Sequence, residues 1–325
     1  MRELGRRNCC GPAVARSVFQ KSAGFGFDLG PATATKPIKG GDLIMQYRSF
    51  GGGVRVSVLG MGCGRVGSIN NMVPMREIEA TLEAAVEAGV TLFDTADIYG
   101  QGDSERTLRT LIARHPGRMF VVTKVGFVHG RLAGALRFAK PLLWAVLRPK
   151  PATRGAVLQA RAQAMSQNFS PQYLREAVDR SRRRLGVDRL DALMLHSPPH
   201  EVLMSSETRE LLSDLVRRQR VSHVGVSATS FEEVKAALSI PAVTMLQVSS
   251  AVARALSGTA LIDRLRERDI ALFAREILRK PESGQNAEGW PAEALAAALV
   301  PPFVTAAVVG VSTRAHLNDF LPVVS

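Results

Sequence analysis

Four side chains stand just beyond short apolar runs. Asp94 closes the run in FDTADIYG and Tyr99 follows five residues on; Lys124 closes VVTK; His196 closes LMLH. Taken singly, each has an ordinary reading as a helix cap, a packed ring with a wet hydroxyl or a satisfied core histidine. As a set they suit reduction of a carbonyl group. A phenol with a pKa near 10 is a poor acid at neutral pH, and a cation beside it favours the phenolate and eases proton transfer. Lys124 is that cation, and Asp94 is the counter-charge a buried ammonium needs. His196 can hydrogen-bond the carbonyl oxygen and fix its orientation. None of the four delivers hydride, so the chemistry requires a nicotinamide. No metal is expected, because the three cysteines, Cys9, Cys10 and Cys63, have neither CxxC spacing nor a framework of pairs.

Bringing these residues to one place demands a particular scaffold. The chain has 325 residues at 46% hydrophobic and 22% charged, enough apolar material for one large domain or two small ones. From Met45 onward, short β-branched runs alternate with amphipathic stretches. MQYRSFGGGVRVSVLG predicts a β-hairpin turning at Gly51 to Gly53. Strands are then expected around 57–60, 91–94, 120–124, 190–196, 221–227, 243–248, 270–275 and 306–310. Helices are expected near 76–88, 104–113, 171–185, 206–219, 231–238, 260–268, 292–299 and 313–320. Eight βα units in about 280 residues predict an α/β fold of the (β/α)8 TIM-barrel type, with the four candidate residues at the C-terminal ends of neighbouring strands. Local signals agree: Ser170-Pro171 is an N-cap with proline at the first helical position, and Ser230 with Glu233 is a capping box.

The formal charge of +13 is concentrated. Residues 1 to 44 carry +4 and residues 128 to 170 carry +7 with no acid at all. With the rest near neutral and no helix-turn-helix, RNP or zinc-finger pattern, nucleic-acid binding is not expected. The longest apolar runs, such as Pro141 to Leu147, are too short to cross a bilayer. Residues 1 to 44 show no sustained period and are set aside from the fold as an extension, either disordered or upstream of a start at Met45. The barrel is expected over 45–325. Residues 128–170 form a basic insertion after the third barrel strand, where a connection of 2 to 6 residues is usual. Within it Leu132, Leu136, Ala139, Leu143 and Leu147 share one helical face, which suits either a lid over the mouth or a surface or partner contact. Reduced cysteines and the absence of a secretion signal predict a cytoplasmic protein.

With these motifs in place, the sequence resembles the aldo-keto reductases, NAD(P)(H)-dependent oxidoreductases built on a TIM barrel. FDTADIYGQGDSE is similar to the family's most specific motif, and VVTK, LHSPP and GVSATSFEEV to its next ones; the resemblance runs from about Met45 to Phe320. It implies Tyr99 as proton donor, Asp94 and Lys124 as its tuning pair and His196 as the substrate-orienting residue. It implies Ser227 and Gln247 at the nicotinamide carboxamide, Gly62 and Cys63 at the pocket floor, and Gly310, Ser312, Thr313 and Arg314 near the adenosine phosphates, where a helix N-terminus suits an anion. The family's Tyr-Ser-Pro-Leu-like run is AREIL here. Ala274 is therefore expected to replace the aromatic that stacks on the nicotinamide, and Arg275 to reach the pyrophosphate. Phe320 stands where an adenine-binding Asn is common, and the extended C-terminal loop of many members is expected to be missing. The implied cofactor is NADPH, with NADH the alternative, and the implied partner is a small carbonyl or sugar substrate. An alternative from another class is a cofactor-binding regulatory or interaction subunit with little turnover.

Overall fold

The computed structural model describes residues 44–68, 71, 73–129, 165–278 and 290–325. Three consecutive left-handed glycines, Gly51 to Gly53 (φ 58°, 81° and 115°), turn β1 (Tyr47–Phe50) into its antiparallel partner β2 (Val54–Ser57). Only glycine adopts such a run without strain. Then follow β3 (Leu59–Gly62), α1 (Met75–Glu87), β4 (Leu92–Asp94), a 3-10 turn (Tyr99–Gly102), α2 (Asp103–Arg114) and β5 (Phe120–Val125). The strands β6 (Phe127–His129) and β7 (Met165–Gln167) precede α3 (Pro171–Leu185) and β8 (Leu190–His196). The chain continues with α4 (His200–Met204), α5 (Ser206–Arg217), β9 (Val221–Ser227), α6 (Phe231–Leu238), β10 (Val243–Ser249), α7 (Ser250–Leu256), α8 (Ala260–Glu267) and β11 (Ala271–Arg275). It closes with α9 (Trp290–Leu299), β12 (Ala306–Val309) and α10 (Arg314–Phe320).

Eight parallel strands, in the order β3-β4-β5-β8-β9-β10-β11-β12, close on themselves as a barrel, the expected (β/α)8 architecture. Because side chains alternate along a strand, every second residue faces the lumen. Val122 of β5 pairs Ala192 of β8, and Lys124 pairs Met194; His196 pairs Ser227 of β9, which pairs Gln247 of β10, which pairs Phe273 of β11. The lower lumen is apolar, with Leu92, Phe120, Val122, Met194, Met245, Phe273 and Val308 in one cluster. The hairpin plugs its base: the Phe50 ring stands edge-on to Phe120 at 5.8 Å and to Phe273 at 5.9 Å. A second, larger cluster lies outside the strands beneath the helices. The polar residues are thereby confined to the upper lumen, at the strands' C-terminal ends.

The helix starts follow the expected chemistry, with one difference. Ser170 caps α3 by accepting from the Tyr173 N–H, with Pro171 in the first turn. Ser230 accepts from the Glu233 N–H, but the Glu233 carboxylate reaches one residue further back, to the N–H and hydroxyl of Thr229, so the box is reciprocal with a neighbour of the cap. The short helices α4 and α7, and the β6-β7 pair, lie in what sequence periodicity reads as loops, because elements of three to seven residues hold too few turns to show a period. β6 and β7 pair antiparallel, Phe127 opposite Gln167, so the basic insertion leaves and returns through one two-stranded root beside the barrel mouth. The lid or surface helix expected at 131–148, and the expectation for residues 1 to 43, fall outside the described residues. Among the described residues no helix is long and apolar enough to cross a membrane.

Candidate active site

The loop that follows β4 is laid down on its neighbour before it turns. Thr95 N–H donates to the Val122 carbonyl at 2.8 Å and Asp97 N–H to the Lys124 carbonyl at 3.0 Å, which carries the chain across the top of β5. Gly100, Gln101 and Gly102 then take left-handed backbone (φ 57°, 61° and 87°), reversing the chain into α2 and leaving the Tyr99 ring over the lumen. At Gly100 the requirement is steric as well: a Cβ there would lie 2.6 Å from the Val66 carbonyl oxygen.

Below the ring, Lys124 is 1% exposed and its Nζ donates to both carboxylate oxygens of Asp94, at 2.6 and 2.7 Å, and to the Thr95 carbonyl at 3.1 Å. The same Nζ lies 5.3 Å from the centre of the Tyr99 ring, and its charge favours the phenolate. Burial works against the ammonium, but Asp94 and the phenol outweigh it, and the Lys124 pKa is held above its ordinary value. For Tyr99 the balance differs from the sequence expectation. Burial raises the phenol pKa more than Lys124 lowers it, so in the protein alone the proton is held more tightly than in water.

His196 meets Tyr99 edge-on at 5.8 Å and Phe127 edge-on at 4.8 Å. Burial, reinforced by the Lys124 and Arg275 cations, holds the imidazole well below its ordinary pKa and therefore neutral at pH 7. Its Nδ1 is buried without a hydrogen-bond partner among the described residues.

Asp94, Tyr99, Phe127 and His196 line a cavity of about 520 Å³ together with Gly62, Ser227, Gln247, Arg275 and Gly310. Ser227 Oγ donates to Gln247 Oε1 at 3.3 Å, and Gln247 Nε2 donates to Asp94 Oδ1 at 2.9 Å, which links the two amide-recognition candidates to the ion pair. Thr229, Ser197, Arg65, Gly64 and Glu276 also border the cavity. Ser197 and Thr229 carried a readable signal, being one and two residues past a strand end. Phe127, at the root of the insertion, carried none.

Two expectations are corrected, those for Cys63 and Ala274. Cys63 is not in the pocket wall: it is fully buried in the outer cluster, its thiol donating to the Met61 carbonyl at 3.6 Å, and burial pushes the thiol pKa up. Strand alternation explains this, since Gly62 faces the lumen and the next residue faces the helices. The same alternation turns Ala274 outward into the helix-side core and turns Arg275 toward the mouth, so the position facing the cavity carries a guanidinium rather than alanine. Arg275 pairs with Glu276, whose backbone is left-handed. Phe320 is 2% exposed in the core beneath α10 and faces no ligand site. Ser312 is buried after β12, Thr313 caps α10 by accepting from the His316 N–H, and the Arg314 guanidinium donates to the Ala80 carbonyl of α1 at 3.4 Å. None of the three borders the cavity.

Three glycines, Gly62, Gly64 and Gly310, border the cavity. A Cβ on Gly62 would meet the Val309 carbonyl oxygen at 3.2 Å, one on Gly64 would lie 3.6 Å from the Tyr99 ring, and one on Gly310 would enter open space. The wall beside Tyr99 is thus kept bare by glycine. Among the described residues no group of three His, Cys, Asp or Glu could hold a metal ion.

Comparison with known proteins points one way. The pattern of the aldo/keto reductase family matches residues 58–288. The chain is 33% identical over 153 residues to a D-threo-aldose 1-dehydrogenase of a Pseudomonas species, covering 45% of this chain and 41% of that protein. It is 29% identical over 201 residues to a 6-dehydroglucose reductase of Novosphingobium aromaticivorans, covering 58% of this chain and 54% of that one. The matches span about half the length of these relatives. In fold, it superposes on an aldo-keto reductase of Bacillus halodurans in its holo form (TM-score 0.66, 18% identity, 87% of this chain and 91% of that chain). It superposes likewise on one of Klebsiella pneumoniae in complex with NADPH (TM-score 0.60, 19% identity, 86% and 90%).

Proposed function

The chain belongs to the aldo/keto reductase family, and from that premise we propose that it is an oxidoreductase that reduces an aldehyde or ketone to the alcohol with NADPH and, in the reverse direction, oxidises an alcohol or an aldose with NADP+. The observation that carries the reading is the buried Lys124–Asp94 pair set directly beneath the Tyr99 ring, with a neutral histidine beside it. Bound NADPH supplies hydride to the carbonyl carbon. The substrate oxygen sits between His196 and Tyr99, and the imidazole N–H orients it without adding charge. Tyr99 transfers its hydroxyl proton to that oxygen, and the phenolate left behind is stabilised by Lys124. Asp94 keeps Lys124 charged and fixed, so the cation is in place before charge develops. Ser227 and Gln247 border the cavity where they can meet the carboxamide of the nicotinamide, and Arg275 can stack on its ring. The sugar-acting relatives support an aldose substrate, and the NADPH-bound fold neighbour supports the cofactor over NADH.

The test is a fluorescence titration with NADPH and NADH, followed by nicotinamide absorbance with a panel of aldoses, aldehydes and ketones, on the natural protein and on Tyr99→Phe. The expected result is turnover that falls by about 10²–10⁴ in the variant, with cofactor binding retained. Equal turnover in the variant refutes the proton-donor role. Binding without any turnover across the panel favours the regulatory alternative.

A further inference from the structure

On the outer face of the barrel α2 and α3 pack together, and five arginines line a single cavity of about 290 Å³: Arg106 and Arg109 from α2, and Arg180, Arg183 and Arg184 from α3. Arg109 lies three residues after Arg106, and Arg183 and Arg184 lie three and four residues after Arg180, so each helix turns its arginines to one side. They converge over two left-handed glycines. A Cβ on Gly102 would lie 2.7 Å from Arg184 Cδ and 3.0 Å from Arg106 Nη1, and one on Gly186 would lie 2.8 Å from Arg109 Nε. Guanidiniums gathered this closely repel one another unless anions separate them.

The protein supplies part of that anion. Glu105, fully buried, takes Arg184 at 2.5 Å, while its other oxygen accepts from Thr123 at 2.7 Å. Asp103 takes Arg106 at 3.2 Å and Glu176 takes Arg180 at 3.4 Å. Arg109 and Arg183, both exposed, have no carboxylate partner among the described residues. Five cations against three directly paired carboxylates leave two guanidiniums without a carboxylate of their own, and Asp97, whose charge also acts on Arg180 and Arg184, offsets part of the excess when it is ionised. The basic insertion cannot neutralise it, because residues 130 to 164 contain seven Lys or Arg and no acid.

We propose that this cavity is a binding site for a phosphate dianion, either free phosphate or the phosphate group of a monoester. The excess of cations favours an anion, and the guanidinium forks of Arg109 and Arg183 match the terminal oxygens of a phosphate in paired, charge-assisted hydrogen bonds. A nucleic acid would need a basic stripe that follows a backbone, whereas these arginines surround one spot. Nothing in the reductase chemistry uses them.

The experiment is a calorimetric titration of the full chain at pH 8 with inorganic phosphate and, separately, with glucose 6-phosphate, at ionic strength held constant with chloride. One saturable site is expected. The double substitution Arg109→Gln with Arg183→Gln weakens it by about tenfold or more, the effect of losing at least one charge-assisted contact, and leaves carbonyl turnover unchanged. Arg275→Gln at the barrel mouth leaves the phosphate affinity unchanged, which separates this site from the cofactor pocket. Tighter binding of glucose 6-phosphate identifies a monoester as the ligand, and equal affinities identify free phosphate; both support the proposal. It is overturned if neither probe saturates, if the double substitution binds phosphate as well as the natural chain does, or if a DNA duplex displaces both probes.

Discussion

Replacing Asp94 with Asn tests whether the ion pair does what its geometry implies. Lys124 is 1% exposed and gives two of its donors to the Asp94 carboxylate, at 2.6 and 2.7 Å. An amide keeps the shape, and its oxygen can still accept from Gln247 and Lys124, but it removes the counter-charge, leaving a buried ammonium in the upper lumen with only neutral acceptors around it. Breaking one side of a buried pair costs about 3–5 kcal/mol. Replacing both residues, Asp94→Asn with Lys124→Met, leaves no buried charge, so most of that loss should return while activity does not. The pH dependence has a defined sign. In the natural chain the Lys124 pKa is raised, so its contribution is fully present below the unfolded value, about 10.4, and is lost as pH climbs through the folded one. In Asp94→Asn the unpaired, buried lysine has a lowered pKa, the unfolded chain binds more protons, and stability rises with pH toward that value. The gap between the two proteins therefore narrows from pH 7 to pH 10. Urea unfolding of the three proteins, with kcat/KM on a turned-over aldehyde, measures all of this. A loss below about 1 kcal/mol, well under the range for a broken buried pair, or a gap that does not change with pH, refutes the reasoning.

Asp97 lies two residues before Tyr99, and burial together with Glu105 raises its carboxyl to about 7. The folded state then holds a proton that the unfolded chain releases near pH 4, so ionising Asp97 between pH 4 and 7 costs stability. Asp97→Asn should flatten the natural chain's decline across that window in thermal unfolding, and parallel curves for the two proteins count against the assignment. Gly100→Ala places a side chain at φ 57° and 2.6 Å from the Val66 carbonyl, at a cost of about 1–3 kcal/mol from the backbone alone. Calorimetry should show a lower Tm, and turnover should fall with it as Tyr99 moves; an unchanged Tm refutes the steric argument. Arg275→Leu removes the guanidinium that faces the mouth and should raise the NADPH Kd by about tenfold, or 1.4 kcal/mol, with kcat changed less. An unaltered Kd in a fluorescence titration would show that Arg275 does not meet the cofactor.

What the sequence alone determined is what depends on local order. Strand runs of four to eight residues, the eight-fold repeat of βα units and the glycine turn of the hairpin are all patterns of near neighbours, and they appear as expected around Leu190–His196, Val221–Ser227 and Pro171–Leu185. Asp94, Lys124 and His196 were legible because closed barrels gather the last polar residue of each strand. The facing of single residues was not. A shift of one position turns a side chain from lumen to helix layer, which is why Cys63 and Ala274 read as pocket residues and stand in the outer core, while Arg275 takes the mouth. Balances of opposing effects were equally out of reach: Lys124 lowers the Tyr99 pKa, yet burial, a property of the closed barrel, outweighs it. Only tertiary structure could join Glu105 to Thr123 and Arg184, or bring Arg106 and Arg109 to the same cavity as Arg180, Arg183 and Arg184. The Glu105–Thr123 contact crosses 18 positions and the Glu105–Arg184 contact 79, and it is the packing of two parallel helices on adjacent strands that brings them together.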